Sequence, residues 1–107
     1  MPIIKIDYDN SKLREKEIFD LSNAIQKIVS EVTGIEDVFV YGNSSQVKVK
    51  IAPIEIFVEI SAHKINDLDK LTGDIKNRII EWKKETNFAH PINLTIIPMS
   101  WKIEIGI

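Results

Sequence analysis

The chain has 107 residues and nearly balanced charge, with 14 basic and 16 acidic side chains and a formal net charge of −2. This length suits one domain, because two domains of half the size would each have too small a core. The composition, 44% hydrophobic and 28% charged, is typical of a folded globular protein, and no basic block points to a nucleic-acid partner.

The residue types also exclude several kinds of chemistry and location. The absence of cysteine excludes disulfides and thiolate catalysis, and two isolated histidines, His63 and His90, cannot supply a zinc site alone. We expect neither a metal nor another cofactor. No apolar run approaches the about 18–20 residues of a membrane-spanning helix, and Lys5 and Asp7 interrupt the first apolar stretch, so no signal segment is predicted. We therefore expect a cytoplasmic protein with no membrane contact.

The first predicted element is a strand over residues 3–8, in which apolar even-numbered side chains alternate with mixed odd-numbered ones. Asp9-Asn10-Ser11 has turn chemistry, and Ser11 is the simplest N-cap for the helix that follows. Apolar residues then recur at helical spacing and predict a helix over 12–33. Thr33-Gly34 ends this helix, because glycine suits the left-handed position after it.

The rest of the chain continues and then repeats this order. After the first helix we predict a strand at 38–41, a turn at 42–45 and a short hairpin-like excursion at 47–51. The strand–helix–strand order then recurs at 54–60, 66–86 and 92–97. Asn66 or Asp67 is the expected cap of the second helix. The tail, 101–107, alternates like an edge strand that pairs with a neighbouring subunit.

These elements predict one α+β domain built from two consecutive β-α-β units, residues 1–51 and 52–107. The strands within each unit should be parallel, because a helix connects them. We expect a four-stranded mixed sheet with both helices on one face. The opposite face carries apolar and mixed side chains, which favours oligomerisation. A ferredoxin-like regulatory module is an alternative with similar element order.

The start of the chain, Met1-Pro2, suggests one kind of catalysis. Initiator methionine is normally removed before proline, which would leave Pro2 with a secondary amine. An ordinary α-amino group has a pKa of about 7.7–8, and desolvation beside an apolar strand disfavours its charged form. Such an amine is a candidate general base. Alternatively, the dipeptide has no catalytic meaning.

Four stretches together resemble the tautomerase superfamily: MPIIKI, VTG after the first helix, PIEIFVEIS and INLTIIPMSW. The chain is similar to the macrophage migration inhibitory factor and 4-oxalocrotonate tautomerase types, and nearest to small uncharacterised bacterial members. The resemblance implies a homotrimer with active sites between subunits around the N-terminal proline. It also implies keto–enol proton transfer on a small keto acid.

Residue by residue, the resemblance carries over only in part. Pro2 matches the catalytic proline, and Lys12 stands where the short tautomerases carry an arginine that binds a substrate carboxylate. Lysine keeps the charge but loses the bidentate fork. Phe39 replaces a second arginine, and Ile35 stands where the migration-factor type has a lysine. These departures support an alternative, a non-enzymatic oligomeric protein with the same fold.

Three further residues are candidates for the substrate pocket. Glu59 is predicted on the sheet face opposite the helices, where it either binds near Pro2 or simply pairs with a lysine or meets solvent. Tyr41 and Trp101 lie at predicted strand ends and are candidates for lining the pocket, although aromatic residues there commonly just pack.

Overall fold

The computed structural model describes residues 1–107. Its elements are β1 (Ile3–Tyr8), α1 (Glu15–Thr33), β2 (Phe39–Ser44), β3 (Ile54–Ser61), a 3-10 turn (Ala62–Lys64), α2 (Leu68–Thr86) and β4 (Asn93–Met99). The strand order in the sheet is β2-β1-β3-β4. The two strands of each unit are parallel, and β1 and β3 pair antiparallel at the centre. The predicted α+β fold of two β-α-β units is confirmed.

The hydrophobic core lies between the helices and one face of the sheet. Ile4 and Ile6 of β1 are completely buried, as are Ile25 of α1 and Ile75 of α2. All four belong to one cluster of 14 buried residues, so both helices pack on the same face. The even-numbered positions of β1 and β3 supply the sheet side of this core, as the alternation predicts.

The start of α1 differs from the prediction. The helix begins at Glu15, because Arg14 is the N-cap and its amide donates to Glu17 Oε1 at 3.0 Å. Ser11 is therefore not the cap. Its amide and hydroxyl both donate to Asp9 Oδ1, at 3.0 and 2.6 Å, and this local turn delays the helix.

The other three helix ends agree with the sequence pattern. Asp67 caps α2, where its Oδ1 accepts from the Lys70 amide at 3.0 Å. Gly34 and Asn87 end the two helices in the left-handed conformation, with φ of 72° and 54°. Glycine, and less commonly asparagine, tolerate this conformation.

The prediction of a turn at 42–45 is wrong over its first three residues. Gly42, Asn43 and Ser44 belong to β2 and pair with Ile6 to Tyr8 of β1. A Cβ at Gly42 would lie 3.4 Å from the Ile18 methyl carbon Cγ2, so glycine here permits close approach of α1 rather than a turn.

The predicted hairpin-like excursion at 47–51 is also wrong. These residues form no strand, and the side chains of Val47 and Val49 are 86% and 99% exposed. Val47 and Val49 alternate with lysines in the sequence, but in the single chain neither valine is buried against another element. The tail, 101–107, likewise lies outside the four strands.

Neither long helix combines the length and apolar character required to cross a bilayer.

The second face of the sheet is uncovered. Its cross-strand rows run from an apolar end to an acidic one. In order they are Phe39–Ile3–Glu59–Ile97, Tyr41–Lys5–Phe57–Thr95 and Asn43–Asp7–Glu55–Asn93.

Candidate functional site

The candidate site is built at the beginning of β1. Pro2 is fully buried there, and its carbonyl accepts a hydrogen bond from the Phe39 amide at 3.2 Å. The next residue, Ile3, pairs with Phe39 on one side and Glu59 on the other. Three residues singled out in the sequence therefore meet at one end of the sheet. Met1 precedes Pro2 in this chain, so the Pro2 nitrogen is part of a peptide bond.

Glu59 and Tyr41 both lie beside Lys5 on the uncovered face. The Lys5 ammonium is 3.4 Å from Glu59 Oε1, and Tyr41 pairs with Lys5 across the sheet. In the single chain, Glu59 therefore pairs with a lysine. Since the Lys5 side chain is half exposed, this ion pair contributes little to stability, but it neutralises the carboxylate nearest Ile3.

Trp101 lies at the same end of the sheet as Pro2. It follows β4 by two residues, and the last residue of β4, Met99, pairs with Ser61 at the end of β3. Because β3 is antiparallel to β1 and parallel to β4, the ends of β3 and β4 lie at the same end of the sheet as the start of β1. Trp101 is partly buried in this position.

Lys12 lies at the opposite end. It is exposed in the loop after β1, where its amide donates to the Asp9 carbonyl at 3.0 Å. The six residues of β1 separate this loop from Pro2. Such a strand is roughly 20 Å long. Lys12 and Pro2 therefore do not meet within one chain.

The loop that carries Lys12 is organised by a buried carboxylate. Hydrogen bonds from the Ser11 hydroxyl and amide, supported by the Lys48 ammonium, lower the pKa of Asp9 to about 2. Lys48 Nζ lies 3.3 Å from Asp9 Oδ1 and also contacts Asn10 Oδ1. The sequence pattern assigned Lys48 only to an alternating segment, but the structure shows that it ties the 45–53 connection to the loop after β1.

A pocket of about 440 Å³ opens on the helix side at the Pro2 end of the sheet. The end of α1 contributes Gly34 and Ile35, and the end of β3 contributes Ile60. Ile60 follows Glu59, the partner of Ile3, so it lies at the same end of the sheet as Pro2, which is not itself a lining residue. The remaining lining comes from the 3-10 turn, the start of α2 and the last turn of α1, and is Val32, Thr33, Lys64, Ile65, Asn66, Asp67, Lys70, Leu71 and Asp74.

Sequence reasoning did not find this pocket or its fixed turn. The Ser61 hydroxyl and His63 Nδ1 lie 2.7 Å apart, which holds the turn between β3 and α2. The serine at the end of β3, two residues before a histidine, is a local feature of the sequence that could have indicated this turn. The pocket itself has no such signal, because its walls come from four separate elements.

A second groove, of about 780 Å³, runs between the outer sides of α1 and α2 and lies away from Pro2. Its lining is mostly polar and charged, with Trp82 and Phe88 at one end, their ring centroids 5.0 Å apart. None of the site residues predicted from the sequence lines this groove.

The comparisons agree on the fold. No family model matches the sequence, and no curated protein is similar to it. The macrophage migration inhibitory factor-like protein of Entamoeba histolytica superposes with a TM-score of 0.65 and 17% identity, covering 96% of this chain and 95% of that one. A domain of unknown function, DUF1904, from Sebaldella termitidis has a TM-score of 0.65 and 14% identity, covering 100% and 98%.

Malonate semialdehyde decarboxylase is also similar, with a TM-score of 0.67 and 9% identity over 97% of this chain and 92% of the other. At such low sequence identity, structural similarity shows a shared fold alone. The chain therefore has the fold of the tautomerase superfamily, as the resemblance implied.

Proposed function

We propose that the protein is a tautomerase-like enzyme that catalyses keto–enol proton transfer on a small keto acid, with Pro2 as its base once Met1 has been removed. The observation that carries this proposal is the location of Pro2, fully buried at the start of β1, at the end of the sheet where the pocket lined by Ile35 and Ile60 opens. A protein with the same fold gives further support, because malonate semialdehyde decarboxylase was studied as a variant with its proline replaced by alanine.

The chemistry follows from the surroundings of the amine. Burial disfavours the protonated amine and so favours the neutral form that a general base requires. In ketonisation the enol oxygen loses a proton and the neighbouring carbon gains one. A neutral Pro2 amine accepts the first proton and delivers it to the carbon, so it is regenerated in each cycle.

We also propose that the protein is a homotrimer and that Lys12 of a neighbouring copy binds the substrate carboxylate. Lys12 is too far from Pro2 to act within one chain, whereas the uncovered sheet face offers a surface for assembly. A fused 4-OT protein with the same fold is described as an asymmetric trimer. Apolar burial stabilises such an interface by roughly 25 cal/mol per Å². Phe39, Tyr41, Glu59 and Trp101 would line the resulting site.

The test is ketonisation of phenylenolpyruvate by Met1-free protein and its variants. Pro2→Ala should lower the rate by about 10²–10⁴-fold, the usual contribution of a general base. Lys12→Ala should mainly raise KM, because it removes a contact present in the ground and transition states alike. A Pro2→Ala rate equal to that of the parent would exclude Pro2 as the base.

A second candidate is a non-enzymatic oligomer. The observation that favours it is the apolar character of Ile35 and Phe39, which lie on either side of the Pro2 end and offer no cation. In that case the trimer forms, and neither Met1 removal nor Pro2→Ala changes the negligible turnover.

A further inference from the structure

We propose that Asp9 is a positioning residue, whose buried carboxylate fixes the loop that presents Lys12 to the substrate of a neighbouring copy. This inference rests on the proposed function for the role of Lys12. It goes beyond that function, because it assigns the geometry of the contact to a side chain that does not itself touch the substrate.

The Asp9 side chain orders the loop that follows β1. Its Oδ1 accepts hydrogen bonds from the Ser11 amide at 3.0 Å and from the Ser11 hydroxyl at 2.6 Å. These bonds, together with Lys48, hold the pKa of Asp9 at about 2, so the carboxylate is ionised near neutral pH although the residue is buried. An ionised acceptor forms stronger hydrogen bonds than a neutral one. The loop is therefore held by a charge.

The Asp9 backbone extends this order to Lys12. The Asp9 carbonyl accepts from the Lys12 amide at 3.0 Å and from the Leu13 amide at 3.1 Å. Leu13 is buried in the core, so the residue after Lys12 is anchored as well. The Lys12 side chain, in contrast, is exposed and forms no ion pair. Only this side chain must be ordered when an anion binds, which keeps the entropic cost of binding low.

Three contacts join the loop to the 45–53 connection. Lys48 Nζ lies 3.3 Å from Asp9 Oδ1 and also contacts Asn10 Oδ1. The Asp9 amide donates to the Pro53 carbonyl at 3.0 Å. Because Lys48 and the local turn share one carboxylate oxygen, removing the Asp9 carboxylate releases the loop from its outer support as well as from its own turn.

The contacts of the Asp9 carboxylate are confined to this region. Neither Ser11 nor Lys48 belongs to the hydrophobic core. Within one chain, Pro2 lies beyond the other end of β1, a strand of six residues. We therefore expect loss of the carboxylate to impair the presentation of Lys12 while the surroundings of Pro2 in the same chain stay as they are.

The experiment is a double-mutant cycle on ligand affinity. Phenylpyruvate is titrated into Met1-free, ¹⁵N-labelled full-length protein, and the backbone amide shifts give the dissociation constant. The cycle compares the parent, Asp9→Ala, Lys12→Met and the variant that carries both changes. Asp69→Ala is the matched control, because Asp69 is an exposed aspartate of α2 that forms no ion pair.

The expected result is a loss of affinity that depends on Lys12. Asp9→Ala should weaken binding by about 3–10-fold, the cost of ordering a loosened side chain, and Lys12→Met by about 10-fold or more. If Asp9 acts through Lys12, the double variant should bind no more weakly than Lys12→Met alone. Lys48→Met loosens the same loop from outside and should show the same dependence, so it decides the matter if Asp9→Ala does not fold. Asp69→Ala should bind as the parent does.

Each other outcome has a definite meaning. Additive losses in the double variant would overturn the inference, because a merely structural effect of Asp9 does not depend on Lys12. Unchanged affinity in Asp9→Ala and Lys48→Met, unchanged affinity in Lys12→Met, or no binding by the parent would also overturn it. Coupled losses in a protein without Pro2-dependent turnover support the inference while the proposed catalysis fails. Conversely, Pro2-dependent turnover with additive losses leaves the proposed function intact and removes Asp9 from it.

Discussion

Glu17 and His90, separated by 73 residues in the sequence, meet with Oε2 and Nε2 2.7 Å apart. The contact joins the first turn of α1 to the loop before β4, and therefore links the two β-α-β units. Hydrogen bonds from the Arg14 amide and from His90 lower the pKa of Glu17 from 4.5 to about 2.

The first prediction is an acid-dependent loss of stability that involves Glu17. Because its pKa is lower in the folded chain, the contribution of Glu17 is fully present above pH 4.5 and is lost as the pH falls toward about 2. In thermal unfolding from pH 6 to pH 2, Glu17→Gln should lower the midpoint at pH 6 and show a smaller further drop in acid than the parent. Glu81→Gln, at an exposed position without an ion pair, is the control. An acid limb unchanged by Glu17→Gln would contradict the assignment.

The second prediction concerns the shared core. Ile75→Ala should reduce the free energy of unfolding by about 2–5 kcal/mol, since it leaves a cavity at a completely buried position between α2 and the sheet. Ile80→Ala, on the same helix but 39% exposed, should have a much smaller effect. Urea unfolding measures both. Similar losses at the two positions would mean that α2 does not pack as described.

The third prediction uses two glycines. Gly73 lies inside α2, and an alanine Cβ at this position would meet no atom within 4 Å, so Gly73→Ala should stabilise the protein by roughly 0.5–1 kcal/mol. Gly34 has φ of 72°, so Gly34→Ala should instead destabilise it, by about 1 kcal/mol. Chemical denaturation distinguishes these signs. A stabilising Gly34→Ala would show that α1 does not end in the left-handed conformation.

The fourth prediction tests the uncovered sheet face. Phe57→Lys places a charge in the central row of that face and should weaken self-association by about 10-fold or more, because it removes apolar burial from the interface. Phe19→Lys changes a phenylalanine on α1 that is already 68% exposed and should leave association unchanged. Sedimentation velocity across micromolar concentrations separates the two. A parent protein that remains monomeric contradicts the trimer.

Local patterns were sufficient to predict the fold because burial follows alternation so closely. Ile4 and Ile6 face the helices as their spacing predicts. The errors arise where a distant contact decides the structure. Gly42 belongs to a strand because of its pairing with Ile6, and its composition alone is typical of a turn. The role of Ser11 depends on the carboxylate of Asp9.

The candidate site was less predictable than the fold. Pro2 is evident from its position after Met1, but its location next to the end of β3 depends on the antiparallel pairing of β1 and β3. No local pattern indicates the pocket near this end of the sheet, because the 3-10 turn, the end of α1 and the start of α2 meet only in the folded chain. The separation of Lys12 from Pro2 likewise follows from strand direction, which the spacing of ten residues does not reveal.

The most direct test of Pro2 as a base compares two forms of one chain that differ only in whether Met1 is present. Each form is verified by intact mass, and its rate of phenylenolpyruvate ketonisation is measured at neutral pH. The Met1-free form has a free secondary amine and should be faster by about 10²–10⁴-fold, whereas the Met1-retaining form has an amide that cannot accept the proton. Equal rates in the two forms would contradict the mechanism.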